Sequence, residues 1–431
     1  MRAVIARSGG ILELAPSALR PLARSGAHLV PLGEGDLIPL PDEASVAHLP
    51  GRRAFAVDAE GQPVNIDGGA MAVAAILPVG HLRCLLPASE PEPGAPRLPL
   101  YGYTAVAEHR GRLMAAAVAT DAFAWWRPAE YRRADLPAAV AATRAALPGN
   151  RVVEQLAACA LEHNCYTAQN TFHRRYEGAL PASPACNADC LGCISMQPDP
   201  VPTPQPRMKY APTAEELAEL AGYHLAGGDA RIVSFGQGCE GEPLTRDATL
   251  AEAVARIRAR HPDATIHVNT NGSRPEALRR LIDAGCNSVR VSAISFTDPV
   301  FRAYYRPVDY GLEEVIACGE VMAEAGGQVC LNLLTFPGLT DVPEELERTA
   351  AAGRAMGVRQ VQWRSLNVDH DWLVRVMPEQ PPAIGMTRAL HWMRRELPGV
   401  EHGNFTRPWP PASPIQFAGD AAAGITMGAD A

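Results

Sequence analysis

The chain has 431 residues, a length that predicts two or three domains and a sizeable buried core. Hydrophobic residues make up 47% and charged residues 20%, as is ordinary for a globular protein, and the net charge of −8 argues against a broad electrostatic grip on nucleic acid or an anionic membrane. Neither a membrane-length apolar run nor a signal-peptide pattern is present, so we expect a cytoplasmic protein. In a reducing cytosol, its ten cysteines predict metal ligands or buried apolar residues instead of disulfides.

The first part of the chain has short apolar stretches interrupted by glycine and proline. Two pairs of these stretches are each joined by a glycine-containing turn: residues 54–58 with 64–67, and residues 101–108 with 113–118. Such pairs predict β-hairpins. The alanine-rich residues 136–147 predict a helix. We therefore expect a β-rich α+β domain over residues 1–150, followed by a helical connector over residues 151–177.

The rhythm of the sequence changes near residue 178, where short β-branched runs begin to alternate with helical stretches. The predicted strands are 231–235, 265–269, 288–292, 329–334 and 360–364. The predicted helices are 213–225, 250–260, 275–284, 312–325 and 344–355. This alternation predicts a parallel sheet, and about six units are too few for a complete eight-fold barrel of ~250 residues. We expect an α/β fold, with a partial (β/α)6 barrel over residues 178–400 and a mostly irregular tail over 401–431.

Three cysteines, Cys186, Cys190 and Cys193, stand close together at the start of this region. Their spacing lets one short loop bring three sulfur ligands to a metal site. A [4Fe–4S] cluster normally takes four cysteines, so three would leave one iron open, as a catalytic metal requires. A structural zinc site would need a fourth ligand, for which Cys165 or His173 could fold back.

The C-x3-C-x2-C motif at the head of a strand–helix series resembles the cluster loop of the radical S-adenosylmethionine (SAM) superfamily. The resemblance implies a [4Fe–4S] cluster whose open iron binds SAM, and reductive cleavage of SAM to a 5′-deoxyadenosyl radical that abstracts hydrogen from a substrate. It also implies an electron donor of the flavodoxin or ferredoxin type. The sequence does not identify the substrate, although the negative net charge favours a small molecule or peptide over RNA.

Further motifs resemble this family in order and spacing, and they supply six candidate SAM-binding residues: Gly241, Glu242, Pro243, Asn271, Ser292 and Asn332. By this resemblance the Gly-Glu-Pro turn meets the methionine ammonium, and a carboxylate is a suitable partner for a cation. Ser292 and Ser295, at and beyond the end of a later strand, could hydrogen-bond the ribose or could cap backbone groups. Asn332 could contact a ligand or could be a satisfied core amide. Two positions depart from the family pattern. Gly192 stands where an aromatic residue usually borders the adenine, and Glu240 stands where a glycine is usual.

Several other residues admit two interpretations. Cys159 and Cys165 could ligate an auxiliary cluster, or they could be core residues. Cys239 could be a thiol or hydrogen-atom donor on the substrate side. Arg364 could clamp a carboxylate or form a surface ion pair. Aromatic residues that could line a substrate mouth are Trp125, Trp126, Tyr304 and Tyr305.

Two alternative functions differ from the radical enzyme in kind. The first is a non-catalytic module in which zinc or an iron–sulfur cluster stiffens a binding protein. The second is a simple electron carrier, whose cluster would be indifferent to SAM. Metal and acid-labile sulfide content, together with the response of the cluster to SAM, distinguish the three.

Overall fold

The computed structural model describes residues 1–121, 130–131, 133–198 and 200–410. Trp125 and Trp126, predicted as possible residues of a substrate mouth, lie outside the described residues, as does the tail from residue 411 onward. Among the described residues, no helix is both long and apolar enough to cross a membrane.

In the part of the chain that the structure describes, fourteen strands near the N-terminus pair antiparallel into one sheet, in which the order along the main path is β10-β3-β6-β8-β1-β13-β14-β5. The strands are β1 (Arg2–Ala6), β2 (Leu12–Leu14), β3 (Arg20–Ser25), β4 (His28–Pro31), β5 (Leu37–Pro39), β6 (Ser45–Val57), β7 (Pro63–Asn65), β8 (Met71–Ile76), β9 (His81–Arg83), β10 (Leu86–Pro87), β11 (Ser89–Pro91), β12 (Tyr103–Thr104), β13 (Val106–His109) and β14 (Arg112–Ala119). Both predicted hairpins are present, since Val57 pairs with Pro63 and His109 pairs with Arg112.

Three helices follow this sheet: α1 (Leu136–Ala146), α2 (Arg151–Leu161) and α3 (Tyr166–His173). The Asn150 side chain caps α2 by accepting hydrogen bonds from the backbone N–H groups of Val152 and Val153. The prediction of a helical connector up to residue 177 was wrong at its end, because a strand begins at Arg175. Helix α3 ends at Arg174, which has a left-handed φ of 52°. The strand that follows was not predicted because it contains charged residues.

The second sheet has seven parallel strands in strictly sequential order. They are β15 (Arg175–Ala179), β16 (Asp229–Phe235), β17 (Thr265–Thr270), β18 (Ser288–Ala293), β19 (Gln328–Thr335), β20 (Gln360–Ser365) and β21 (Glu401–Gly403). The five predicted strands are all present, and the fold is an α/β partial barrel. Strand β21 was not predicted, because Glu-His-Gly lacks the apolar alternation of a strand. The predicted irregular tail therefore begins with a short strand paired to β20.

Helices alternate with these strands. They are α4 (Ala214–Leu225), α5 (Asp247–Arg260), α6 (Pro275–Asp283), α7 (Asp298–Tyr305), α8 (Leu312–Glu324), α9 (Pro343–Ala355), α10 (His370–Val376) and α11 (Met386–Glu396). The predicted capping box at α4 is present, with Thr213 accepting from the Glu216 N–H. Helix α6 ends before Gly285, whose φ of 112° suits glycine.

The strands of the barrel separate apolar from polar side chains by alternation. On β18, Val289 and Val291 are fully buried in the core, whereas Arg290 between them lines a cavity on the concave side. Glu177 on β15 and Asn332 on β19 line the same cavity. The concave face of the barrel is therefore polar, and it is where the candidate residues collect.

A buried cluster of charges joins the N-terminal sheet to the loop that follows β20. Arg52 donates to the Asp369 carboxylate at 2.7 Å, and Arg24 pairs with Asp371. His370 lies between the two aspartates, and burial lowers its pKa to about 3, so it is neutral at pH 7. Ligand atoms of Asp369, His370 and Asp371 lie within 4.8 Å of one another, but the two arginines already neutralise both carboxylates. We call these five residues the interdomain ion-pair cluster.

Candidate active site

The three motif cysteines lie on the loop that follows β15. All three are half-buried free thiols. Two backbone hydrogen bonds attach the loop to the end of α7, from the Asp189 N–H to the Tyr305 carbonyl at 3.0 Å and from the Leu191 N–H to the Tyr304 carbonyl at 3.0 Å. A turn closed by the Cys193 N–H on the Cys190 carbonyl at 3.1 Å follows. These backbone hydrogen bonds therefore fix the loop against α7.

Burial raises the pKa of the Cys190 thiol well above its usual value, and the neighbouring Cys193 and Cys186 raise it further. Burial also raises the pKa of Cys186. The surrounding protein therefore disfavours bare thiolates, which a coordinated metal would stabilise. One compensating donor is present, because the Arg207 Nη2 lies 3.5 Å from the Cys193 sulfur.

The spacing of the thiols bears on the kind of metal they could hold. Among the described residues, one group of three His, Cys, Asp or Glu side chains has all its ligand atoms within 4.8 Å of one another. That group is Asp369, His370 and Asp371, not the three cysteines. The three cysteine sulfurs are therefore spread more widely than this. Tetrahedral zinc, with Zn–S bonds of about 2.3 Å, would require sulfurs roughly 3.8 Å apart.

The Gly241-Glu242-Pro243 turn packs directly on the chain that leads into Cys186. The Gly241 N–H donates to the Ser183 carbonyl at 2.7 Å, and the Glu242 N–H donates to the Ala185 carbonyl at 2.8 Å. A Cβ at position 241 would lie only 2.0 Å from the Ala185 carbonyl oxygen. Glycine is therefore required here for close approach of two backbones, and the turn and the cysteine loop form one unit.

The Glu242 carboxylate is buried and accepts three hydrogen bonds. The donors are the Thr270 hydroxyl at 2.6 Å, the Asn271 N–H at 2.8 Å and the Leu244 N–H at 3.0 Å. Burial nevertheless raises its pKa to about 7. A cation bound beside it would favour the ionised form.

Asn271 connects this carboxylate to the cysteine loop. Its backbone N–H reaches Glu242, and its side-chain Nδ2 donates to the Asn187 Oδ1 at 2.9 Å. Asn187 follows Cys186 directly. Three predicted elements, the cysteine loop, the turn and the end of β17, therefore meet in one hydrogen-bonded network.

Glu240 occupies the position at which the radical SAM pattern has a glycine, and its buried side chain holds neighbouring backbone in place. Its carboxylate accepts from the backbone N–H groups of Ala182 at 2.7 Å, Ser183 at 2.8 Å and Gln237 at 2.6 Å. Burial raises its pKa to about 7. The residue fixes the turn to the segment before Cys186, so it strengthens the same junction that the close approach of Gly241 creates.

The other departure, Gly192, has a compensating neighbour. A Cβ at position 192 would lie 2.7 Å from the Tyr304 hydroxyl oxygen and 3.3 Å from a Leu366 methyl group. Tyr304 is almost fully buried, and it lines the same cavity as Gly192. An aromatic ring therefore stands beside the third cysteine after all, supplied by α7 instead of by the cysteine loop.

Ser292 and Asn332 lie opposite each other on neighbouring strands, and the Asn332 Nδ2 donates to the Ser292 hydroxyl at 2.9 Å. The other end of the Asn332 amide is buried without a partner. Ser295 belongs elsewhere, because its hydroxyl donates to the buried Glu345 carboxylate at 2.6 Å. The Glu345 carboxylate also accepts from the Phe296 N–H, so Ser295 helps to hold the loop after β18.

A cavity of about 530 Å³ extends from the cysteine loop across the concave face of the barrel. Gly192 and Tyr304 line one part of it, and Arg290 and Arg364 line another. Residues 77–81, from the loop between β8 and β9, contribute a wall from the N-terminal sheet. The sequence prediction missed Arg290, although it alternates with Ser288 and Ser292 and so shares the face of Ser292.

Three further cysteines of the sequence analysis lie near one another. Cys159 and Cys239 are buried and hydrogen-bonded to each other, and this bond, followed by burial, raises the pKa of Cys239. Cys165 lines the cavity, whereas Cys239 lies behind its wall. Cys239 as a substrate-side thiol and Cys159 with Cys165 as auxiliary ligands remain predictions.

Residues 180–352 match the family model described as the radical SAM superfamily. A GTP 3′,8-cyclase from Paenarthrobacter nicotinovorans is 27% identical over 201 residues. That match covers 46% of this chain and 54% of the cyclase, so the chain spans about half the length of this curated relative.

Solved structures to which this chain is similar include methylornithine synthase, with a TM-score of 0.37 and 13% identity over 57% of this chain and 73% of that one. A radical SAM methyltransferase from Sphaerobacter thermophilus has a TM-score of 0.37 and 17% identity over 54% of this chain and 65% of that one. The hydrogenase maturase HydG has a TM-score of 0.38 and 13% identity, covering 62% of each chain. Likeness at this level does not indicate a substrate.

Proposed function

The chain belongs to the radical SAM superfamily through its domain at residues 180–352, and we propose on this basis that it is an enzyme that cleaves SAM reductively. Cys186, Cys190 and Cys193 would hold a [4Fe–4S] cluster. When bound, the cluster and SAM together supply a 5′-deoxyadenosyl radical that abstracts hydrogen from a small molecule or peptide. The observation that carries the proposal is the direct packing of the Gly241-Glu242-Pro243 turn on the cysteine loop.

The residues present fit a site-differentiated cluster. Three thiols on one loop leave one coordination position of a four-iron cluster without a protein ligand. Arg207 donates toward the Cys193 sulfur, and hydrogen bonds to cluster sulfurs are among the features that set a cluster's reduction potential. These features support the cluster over the zinc module.

The residues around the turn fit the amino-acid end of SAM. Glu242 is a buried carboxylate whose pKa burial raises to about 7, so an ammonium group would be an effective partner for it. Gly241 and Pro243 shape the turn, and Asn271 ties it to the cysteine loop. Ser292 would contact the ribose, and Asn332 would contribute to this part of the site by donating to the Ser292 hydroxyl from the facing strand.

The chain's own residues also shield the site. Tyr304 and Leu366 occupy the space beside Gly192, where they would border the adenine. Residues 77–81 close the cavity from the N-terminal sheet. We propose that residues 1–150 are the specificity module, since they form this wall and lie outside the match to the family model.

An electron donor of the flavodoxin or ferredoxin type is the proposed partner. A surface groove of about 370 Å³ reaches Cys190 from outside the barrel, and its lining includes Met196, Trp372, Arg97 and Arg306. Arg97 stacks on the Trp372 ring at 3.5 Å. Asp189 also lines the groove and pairs with Arg306 at 3.4 Å, so Arg97 is the cation that would meet an acidic donor docked over the cluster loop. All ten cysteines are free thiols, which agrees with the proposed cytoplasmic location.

One anaerobic experiment tests the proposed function. The purified protein is reconstituted with iron and sulfide, reduced with dithionite and mixed with SAM, and 5′-deoxyadenosine is quantified. We expect wild type to form it, Cys190→Ala to form none, and Cys84→Ala, which removes a buried thiol bonded to Thr387, to behave as wild type.

The negative outcomes identify the alternatives. Zinc without acid-labile sulfide would establish the non-catalytic module. A cluster whose EPR spectrum does not change when SAM is added would establish the electron carrier, and it would remove the SAM-binding role of residues 241–243.

A further inference from the structure

Two arginines face the cavity from alternate strands of the barrel. Arg290 lies on β18 and Arg364 on β20, and both are half-buried at the cavity wall. Their guanidinium groups share one acceptor, the Gln362 Oε1, at 2.9 Å from the Arg290 Nη1 and 3.3 Å from the Arg364 Nη2. An amide oxygen orients the two groups without neutralising either charge.

The charge of this pair is poorly compensated. Within the part of the chain that the structure describes, neither arginine forms an ion pair at 4.0 Å or less. Glu177 lines the same cavity, but its carboxylate accepts a hydrogen bond from the Ser234 hydroxyl at 2.5 Å. Burial, together with the charge of Arg290, lowers the pKa of Arg364 to about 10, although Glu177 and Asp121 act in the opposite direction. Both arginines stay protonated at neutral pH. The cavity therefore presents two cations against one carboxylate.

Two buried polar atoms near the arginine pair also lack a hydrogen-bond partner. The Arg290 Nε is buried without an acceptor, and one end of the Asn332 amide is buried without a partner whichever way the amide is turned. Asn332 lies on β19, between the strands that carry the two arginines, and pairs in register with Gln362. Buried polar groups are normally satisfied, so unpaired groups on two neighbouring strands, β18 and β19, indicate a ligand.

We propose that Arg290, Arg364 and Asn332 form a substrate-binding site for an anionic small molecule that carries a carboxylate or a phosphate and a second polar group beside it. The planar fork of arginine matches two oxygens of either anion. The anionic group would lie against the arginines, and the second group would pair with Asn332. This inference rests on the proposed function, because the bound anion is a substrate only if the cavity holds the reaction.

The position of the pair favours a substrate over the cofactor. Ser365, next to Arg364, accepts from the Arg83 backbone N–H at 3.0 Å, so this end of the cavity adjoins the N-terminal sheet. The proposed contacts of the methionine end, Gly241 to Pro243, lie instead against the cysteine loop. A substrate anchored at the arginines would therefore lie between the N-terminal sheet and the cluster.

The test measures binding of two simple probes, inorganic phosphate and succinate, to the reconstituted protein by titration calorimetry at constant ionic strength. We expect at least one probe to bind with a dissociation constant below about 10 mM. Arg290→Gln and Arg364→Gln should each weaken it at least tenfold. Arg302→Gln, which removes an exposed arginine paired with Asp298, should leave affinity within twofold. The tighter probe identifies the anion class.

Folding of the variants is controlled in two ways. Arg290→Lys and Arg364→Lys keep the charge and lose the fork, so they should bind with intermediate affinity. Without a probe, Arg364→Gln should unfold at a higher temperature than wild type, because it removes one of two neighbouring cations. A lower unfolding temperature would contradict the uncompensated charge that the inference requires.

Three results would overturn the inference: no binding of either probe, equal binding by the glutamine variants, or displacement of the bound probe by SAM. The last result would assign the arginines to the cofactor. The 5′-deoxyadenosine assay keeps the two proposals separate. Arginine-dependent binding without SAM cleavage would refute the proposed function and leave an anion-binding site that is not a substrate site. SAM cleavage with arginine-independent binding would refute only the substrate site.

Discussion

Glu240 and Glu242 are buried carboxyl groups on either side of Gly241, and burial raises the pKa of each to about 7. The ordinary value of 4.5 applies in the unfolded chain, so between pH 4.5 and 7 the folded state binds more protons than the unfolded state. The contribution of each carboxyl group to the free energy of unfolding is therefore fully present below pH 4.5 and is lost as the pH rises through 7.

We expect the unliganded protein to lose about 1 kcal/mol of stability per carboxyl between pH 6 and pH 8. The measurement is the thermal unfolding midpoint at a fixed scan rate in both buffers. Glu242→Gln should shrink the fall by about half, since only Glu240 then titrates. An undiminished fall in this variant would show that Glu242 is already ionised.

Gly192 and Tyr304 should be energetically coupled. In Gly192→Ala the new methyl would meet the Tyr304 hydroxyl at 2.7 Å, which should destabilise the protein by about 1–3 kcal/mol. In Gly192→Ala with Tyr304→Phe the oxygen is gone, so the two effects should not add. Unfolding of both single variants and the double variant measures the coupling, expected at about 1 kcal/mol. Strict additivity would mean that the tyrosine does not fill this space.

Individual residues were predictable from the sequence where a motif fixed their spacing. The structure brings the cysteine loop, the Gly241-Glu242-Pro243 turn and Asn271 into one network, as the order of motifs suggested. Arg290 and Glu177 were missed because a charge inside a buried strand has no local signature of its own. Their shared cavity exists only once strands β15 to β20 lie side by side.

At the scale of elements, the turn after β16 depends on one glycine. Gly241→Ala would place a Cβ 2.0 Å from the Ala185 carbonyl oxygen, and backbone cannot yield as a flexible side chain can. We expect the turn to separate from the cysteine loop, at about 1–3 kcal/mol of stability, with a lower iron and sulfide content after reconstitution. Metal analysis and thermal unfolding measure both effects.

Gly228 supplies the matched control, because a Cβ there would meet nothing within 4 Å and its φ is not positive. Gly228→Ala should reconstitute as wild type. Iron and sulfide incorporation in Gly241→Ala equal to that of Gly228→Ala would show that the two backbones can part without loss of the site.

Elements with strong local signals were predicted and weak ones were not. The α4 helix was predicted by its capping box, and the five central strands by their β-branched residues. Strand β15 was missed because Arg-Tyr-Glu-Gly-Ala is polar on the face that lines the cavity. Strand β21 forms by pairing with the edge of β20. The local sequence of β21 gives no sign of this pairing.

At the scale of the whole molecule, the interdomain ion-pair cluster holds the N-terminal sheet on the barrel. Arg52 and Asp369 are 317 positions apart in the chain, and both side chains are almost fully buried. No sequence pattern predicts such a pair, because the spacing carries no period. The placement of the N-terminal sheet over the cavity was therefore beyond sequence reasoning, although its β-rich character was not.

Arg52→Ala should destabilise the protein by about 3–5 kcal/mol, because it leaves the Asp369 carboxylate buried without its partner. The matched control is the adjacent Arg53→Ala, which breaks an exposed pair with Glu90 and should change stability by less than about 1 kcal/mol. Thermal unfolding of both variants tests this. Similar losses in the two would mean that the buried pair contributes no more than the surface pair.

The four-residue loop between strands β8 and β9, which together with His81 forms one wall of the cavity, has a consequence for how the selectivity of such a protein can change. Both strands belong to the N-terminal sheet, which is separate from the sheet of the barrel. The loop that connects them can therefore change in length or sequence without disturbing the cysteine loop across the cavity. Exchanging this loop between relatives is therefore a compact route to new selectivity. Redesign of selectivity can begin with this loop and leave the cysteine loop and the Gly241-Glu242-Pro243 turn unchanged.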